Sequence, residues 1–215
     1  MTGLIRPASE KGVVLEAATI LRRGGLVVFP TDTVYGVGAY AFLPEAIEAI
    51  YCAKLRPRDK AIPLLLSQAA EINSVARNIP DIAWAIAERF WPGGLTLVLW
   101  KAPHLPDILC AGGESIALRV PDHPIALALI TALGGPLAAT SANLSGEAPA
   151  TTAEEAAAAL GERVAMILDG GKAAMGVAST VLDLTASPPR VLRQGAIAAH
   201  VLAGFLARFG VKLGS

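Results

Sequence analysis

Apolar positions follow two rhythms along the chain. Val13, Val14, Ala17, Ala18 and Leu21 recur at helical spacing, and Gly24-Gly25 then stop the pattern. Leu26-Val27-Val28-Phe29 is a continuous apolar run closed by Pro30, the form of a buried strand. A helix is predicted to open at Pro44, with Ala46, Ile47, Ile50 and Tyr51 on one side. Further strands are predicted over 62–66, 95–100, 116–120, 137–140, 164–168, 180–184 and 191–193. Helices are predicted over 68–77, 81–90, 125–133 and 197–209, the third opened by Pro124. Thr151 and Glu154 have capping-box spacing ahead of an Ala-rich helix. Several strands follow one another with no helix between them. The expectation is a single α/β domain over 1–215 with a mixed sheet and flanking helices, its core spanning about 10–197.

Composition narrows the function classes. Among 215 residues, 53% are hydrophobic and 17% charged, which excludes a disordered chain. Eighteen Lys and Arg balance eighteen Asp and Glu, so nucleic-acid binding would need a local basic patch. Mean hydropathy is +0.53, yet the longest uncharged stretch, 123–146, is broken by Gly134-Gly135-Pro136 and by polar residues from Thr140 to Asn143. It reads as helix, turn and strand, not as a membrane span. No apolar targeting segment is expected at the start, and two cysteines, Cys52 and Cys110, suit a reduced, cytoplasmic setting without structural zinc.

Familiar catalytic signatures are absent. Gly171-Lys172 lacks the rest of a phosphate-binding loop, Gly36-Val37-Gly38 lacks a third dinucleotide glycine, and Ser115 lacks the closing glycine of a nucleophile elbow. Chemistry concentrates elsewhere. Lys54, Arg56, Arg58 and Lys60 fall within seven residues, and Pro57 biases Arg56 towards extended backbone. Extended, the segment would put all four cations on one side, a field suited to polyphosphate; a solvated basic loop is an equally open reading, and a nucleic-acid phosphate contact is a third. The hydroxyl and amide run Thr140-Ser141-Ala142-Asn143-Leu144-Ser145-Gly146 follows a short strand, and Pro30-Thr31-Asp32-Thr33-Val34-Tyr35-Gly36 is a polar turn leaving another. Arg119 and Arg193 sit among apolar residues with few nearby acids, so a bound anion is a candidate partner for both.

Taken in order, the turn 30–36, Lys54-x-Arg56-Pro57, Pro92-Gly93-Gly94-Leu95-Thr96, 119–124, 141–146 and Ser179-Thr180-Val181 resemble the YrdC/Sua5 family over most of the chain. The resemblance implies a twisted, largely parallel sheet around a concave, positively charged cavity. It also implies synthesis of threonylcarbamoyl-AMP and pyrophosphate from L-threonine, bicarbonate and ATP, with Mg²⁺, for the t6A modification of tRNA. A threonylcarbamoyl transferase complex would receive the product. Carried over residue by residue, Lys54, Arg56, Lys60, Ser115, Ser141, Asn143 and Arg193 would contact ATP, and Thr33, Arg119, Ala139 and Ser179 would contact threonine. No catalytic base or metal ligand is assigned. Lys60 stands where an Asn is common, and Leu64-Leu65-Leu66 replaces a threonine-side His. The alternatives are a YciO-like paralogue with a related nucleotide-dependent or hydrolytic activity, a carbamoyl-transfer domain of the hydrogenase-maturation type, and an RNA-binding module that uses the same basic cavity.

Overall fold

In the computed structural model, which describes residues 4–214, the elements follow the apolar rhythm closely. Strand β1 (Leu4–Pro7) precedes helix α1 (Val13–Arg22), then come β2 (Val27–Phe29), β3 (Gly36–Tyr40) and α2 (Pro44–Lys54). Next are β4 (Leu64–Leu65), the single turn α3 (Ile72–Val75), β5 (Ala76–Arg77), α4 (Asp81–Phe90) and β6 (Leu95–Lys101). The second half holds β7 (Ser115–Arg119), α5 (Pro124–Leu133), β8 (Leu137–Ser141), α6 (Ala153–Leu160), β9 (Met166–Asp169), β10 (Thr180–Asp183), β11 (Arg190–Arg193) and α7 (Ala199–Ala207). Pro44 and Pro124 each sit in a first helical turn, where the missing N–H costs nothing.

Four expectations need correction. The strand 62–66 contracts to Leu64–Leu65: Pro63 has no N–H to give to a ladder, and the chain bends at Ser67 and Gln68. The helix 68–77 breaks into a 3-10 turn at Ala69–Glu71, then α3, and then β5, whose backbone is drawn onto the edge of β6. The cap of α6 moves one residue on. Thr152 is the extended residue whose hydroxyl accepts from the Glu155 amide at 3.2 Å, and the Glu155 carboxylate reaches back to Thr151 N at 2.6 Å. The last helix is shorter than 197–209, because the Thr180 hydroxyl holds Gly195 N and Ile197 N and keeps that stretch out of the helix.

Among the described residues the strands form one mixed sheet in the order β1-β9-β2-β3-β8-β4-β7-β6-β10-β11, with β5 added to β6. The ladders β1/β9, β9/β2, β4/β7 and β6/β10 are parallel. The ladders β2/β3, β3/β8, β8/β4, β7/β6, β10/β11 and β5/β6 are antiparallel. Side chains alternate across a strand, so the sheet buries two separate cores. On one face Val27, Phe29, Leu65, Leu137, Met166 and Leu168 pack against α1 and α5. On the other, Val28, Val37, Leu64, Leu97, Leu118 and Ile167 pack against α2, α4, α6 and α7. Helix α1 lies over β9, β2 and β3. Helix α5 extends that cover to Leu137 and Leu65, and beyond it a cavity opens on the same face over β8, β4, β7 and β6.

Candidate active site

The cavity measures about 280 Å³ and lies across the sheet face. Its floor is Ala139 and Ser141 on β8, Pro63 and Leu65 along β4, Arg119 on β7 and Thr96 on β6. Its walls are the turn 31–36, the 143–149 segment and the strand approach at Ala178 and Ser179 with Arg193. The turn is held in shape by backbone bonds: Tyr35 N donates to Ala150 O (2.8 Å), and Asp32 O and Thr33 O accept from Met175 N and Gly176 N.

Arg119 is the pivot. It is 6% exposed, and its Nε donates to Gly93 O at 2.7 Å. Its Nη1 donates to Thr33 Oγ1 at 2.9 Å, and its Nη2 donates to Asp32 Oδ1 in a buried ion pair. A guanidinium has five N–H groups, so one remains on each terminal nitrogen. The hydroxyls around it have a fixed sense. Thr31 Oγ1 donates to Val34 O at 2.6 Å, so the Thr33 hydroxyl donates to Thr31 and accepts from Arg119. Burial pulls the Arg119 guanidinium below its usual pKa, opposed by Asp32 and aided by Arg193. Arg193 and Arg56 are pulled down by burial too, and the field of Arg193 reaches both other guanidiniums. With Arg193 repelling both of the others and Arg119 and Arg193 lining the cavity, the site gains by receiving an anion.

Arg193 spans Ser179, donating Nε and Nη2 to Ser179 O (3.1 and 2.8 Å) and Nη2 to Ser179 Oγ (3.2 Å), while Ser179 Oγ meets Thr96 Oγ1 at 2.7 Å. Asn143 is pinned: its Nδ2 spends both hydrogens on Leu144 O and Glu147 O, each at 2.8 Å. Its Oδ1 is buried on the cavity wall without a partner.

Seven of the eleven residues named from the sequence therefore fall on this cavity or form its wall: Thr33, Arg119, Ala139, Ser141, Asn143, Ser179 and Arg193. The other four do not line its enclosed part. Lys54 ends α2, is 1% exposed, and its Nζ donates to Ser141 O and Asn143 O behind the wall. Leu55 then turns left-handed (φ 51°), so the segment 54–60 is not extended and the four cations do not share a side. Arg58 leaves the site and pairs with Glu48 on the surface of α2. Arg56 folds back on Lys60 O and Ala61 O, and Lys60 is exposed beside it. Ser115 lies on the same face of β7 as Ala117 and Arg119, two pleats away and outside the residues that line the cavity.

One expectation about partners also changes. The partner of Arg119 is the carboxylate of Asp32, 87 positions away, not only a bound anion. Asp32 serves more than its own turn, since Oδ1 also accepts from Asp122 N at 3.1 Å. Thr31 and Thr96 stand in quoted motifs but are assigned no role from the sequence, and Pro63 and Glu147 carry no signal in it; a lone polar Thr96 in an apolar strand was the available signal for one of them.

With this geometry described, comparison with known proteins is decisive. A family model described as "Telomere recombination" (Sua5_yciO_yrdC) matches residues 19–195. The chain belongs to the Sua5/YciO/YrdC family. It is 42% identical over 193 residues to the threonylcarbamoyl-AMP synthase of Pyrococcus abyssi, covering 90% of this chain and 57% of that protein. It is 45% identical over 188 residues to the enzyme of that name from Bacillus subtilis, covering 86% and 54%. This chain thus spans a little over half the length of these relatives. The P. abyssi Sua5 structure complexed with L-threonine superposes with a TM-score of 0.91 at 37% identity, over 99% of this chain and 62% of that one. Escherichia coli YciO superposes at 0.80 and 29% identity, over 92% and 96%. No helix among the described residues is long and apolar enough to cross a membrane.

Proposed function

We propose that this cavity makes threonylcarbamoyl-AMP from L-threonine, bicarbonate and ATP, as a nucleotidyltransferase acting in the cytoplasm. The observation that carries the reading is Arg119, a buried guanidinium locked by three partners with one N–H left on each terminal nitrogen. The two remaining donors are available to carboxylate oxygens, and the small residues Thr33, Ala139 and Ser179 around Arg119 leave room for an amino acid. Arg193, Ser141 and the free Asn143 Oδ1 then face the nucleotide. At about 280 Å³ the enclosed part takes an amino acid and phosphates, while the nucleoside extends along Ala117 and Ser115 towards Arg56 and Lys60.

Bicarbonate and the threonine amine form an N–C bond, with loss of water, to give an N-carboxylate. One oxygen of that carboxylate bonds to the α-phosphorus of ATP, and the bond from that phosphorus to the bridging oxygen breaks to release pyrophosphate. The protein's part is positioning and neutralising charge, with no covalent nucleophile. Arg119 orients the amino acid, Thr33 and Thr31 hold Arg119 still, and Arg193 offsets charge on the leaving phosphates. No trio of His, Cys, Asp or Glu among the described residues is arranged to cage a metal. The unpartnered Asn143 Oδ1, with Glu147 at the wall, instead suits a hard cation that takes its other ligands from phosphate. Asn143 Oδ1 would hold Mg²⁺ there, and the ion would supply charge neutralisation to the phosphates. The product passes to a threonylcarbamoyl transferase complex that acts on tRNA. Incubation with α-labelled ATP, threonine and bicarbonate should yield a labile threonine-containing adenylate; ADP and orthophosphate instead would contradict the reading.

A further inference from the structure

The Ser141–Ser145 turn is fastened to the end of α2 from both sides of one residue. Lys54 Nζ donates to Ser141 O and to Asn143 O, and Lys54 O accepts from Ser145 N at 2.9 Å. The turn so held is the one that presents Ser141 and the unpartnered Asn143 Oδ1 to the cavity. Lys54 itself is 1% exposed and outside the cavity wall, and among the described residues no carboxylate pairs with it. Two of its three N–H groups are taken by carbonyls. A phosphate could be met only through the third.

We infer that Lys54 is a positioning residue, which sets the Ser141–Asn143 turn for the nucleotide without touching phosphate. This rests on the nucleotide reading of the cavity. A buried ammonium held only by carbonyls is expensive for the fold. Burial, with Arg56 as the charged group whose field reaches it, pushes its pKa down to about 8. A residue kept at such a cost is one that the site needs and the fold does not.

The experiment is ATP binding by calorimetry across a series of KCl concentrations, for wild type, Lys54→Met and Arg193→Ala. Removing an exposed cation that neutralises phosphate, as Arg193 would, flattens the salt dependence of binding, whereas removing a fully buried one that salt hardly screens leaves the slope in place. Lys54→Met is expected to lose tenfold or more in ATP affinity, to keep the wild-type salt slope, and to melt no lower than wild type. Arg193→Ala is expected to flatten the slope. An unchanged affinity in Lys54→Met, or a slope flattened as in Arg193→Ala, would overturn the inference while leaving the nucleotide reading intact. Absence of ATP binding by wild type would overturn both. A crystal structure of wild type with a non-hydrolysable ATP analogue decides the matter should the variant fail to fold. Nζ should remain on the two carbonyls and lie beyond about 3.5 Å of every phosphate oxygen, and a phosphate within that distance would refute the assignment.

Discussion

Arg119 shows how much of the site depends on single hydrogen bonds. Its orientation is fixed by a carbonyl, a hydroxyl and a carboxylate from three different segments, Gly93, Thr33 and Asp32. A lysine there keeps the charge but loses the planar fork. Arg119→Lys is therefore expected to raise the threonine KM about ten- to hundredfold, the equivalent of roughly 1.5–3 kcal/mol for a charge-assisted bond. The ATP KM should move by less than about threefold, which is within 0.7 kcal/mol. Steady-state titration of each substrate separates the two, and equal shifts would remove Arg119 from the amino-acid side. The sequence made Arg119 conspicuous because a charge among apolar residues must have a reason. It could not show that Asp32 was that reason, since the two are 87 positions apart and meet only through the order of the strands.

Elements with strong side-chain periodicity were legible, and elements defined by backbone fit were not. Helices α1, α4 and α5 carry apolar stripes bounded by Gly or Pro, and they fall where the pattern puts them. Strand β3 left almost no trace in Gly36-Val37-Gly38-Ala39, because its residues were chosen for closeness. A Cβ at Gly38 would come within 2.9 Å of Phe29 Cε1 and 3.0 Å of Leu137 Cδ1. The basic segment was misread for a related reason. A left-handed Leu55 after α2 sends Lys54 inwards and Arg58 outwards, and no periodicity rule foresees that. The cap of α6 offers a direct check at this scale. Thr152→Ala removes the hydroxyl that takes the Glu155 amide and should cost about 1 kcal/mol, or roughly 2–4 °C in Tm. Thr151→Ala leaves that bond in place and should cost less; the reverse order would put the cap back at Thr151.

At the scale of the whole molecule, an unevenly covered sheet makes the site. Helices α1 and α5 close one end of a face, and the uncovered remainder becomes a cavity lined by Arg119 and Arg193. Lys54 behind it leaves a mark on global stability. Its folded pKa of about 8 lies below the ordinary 10.5. Below pH 8 both folded and unfolded chains hold the proton, and the fold bears the full cost. Between pH 8 and 10.5 the folded chain releases it first, so stability should rise with pH, by on the order of 3 kcal/mol for this group. Denaturation midpoints of wild type minus Lys54→Met, followed from pH 7 to pH 10.5, should rise across that window. Parallel curves would mean that Lys54 is not a buried charge.

Arg119 and the neighbouring cations are proposed to bring a threonine-derived carboxylate to the α-phosphorus of ATP. Pyrophosphate release by the purified protein tests this most directly, assayed with each substrate omitted in turn. Release is predicted only when ATP, threonine and bicarbonate are all present, with Mg²⁺, and without any tRNA. Release that ignores threonine, or a requirement for RNA, would contradict it.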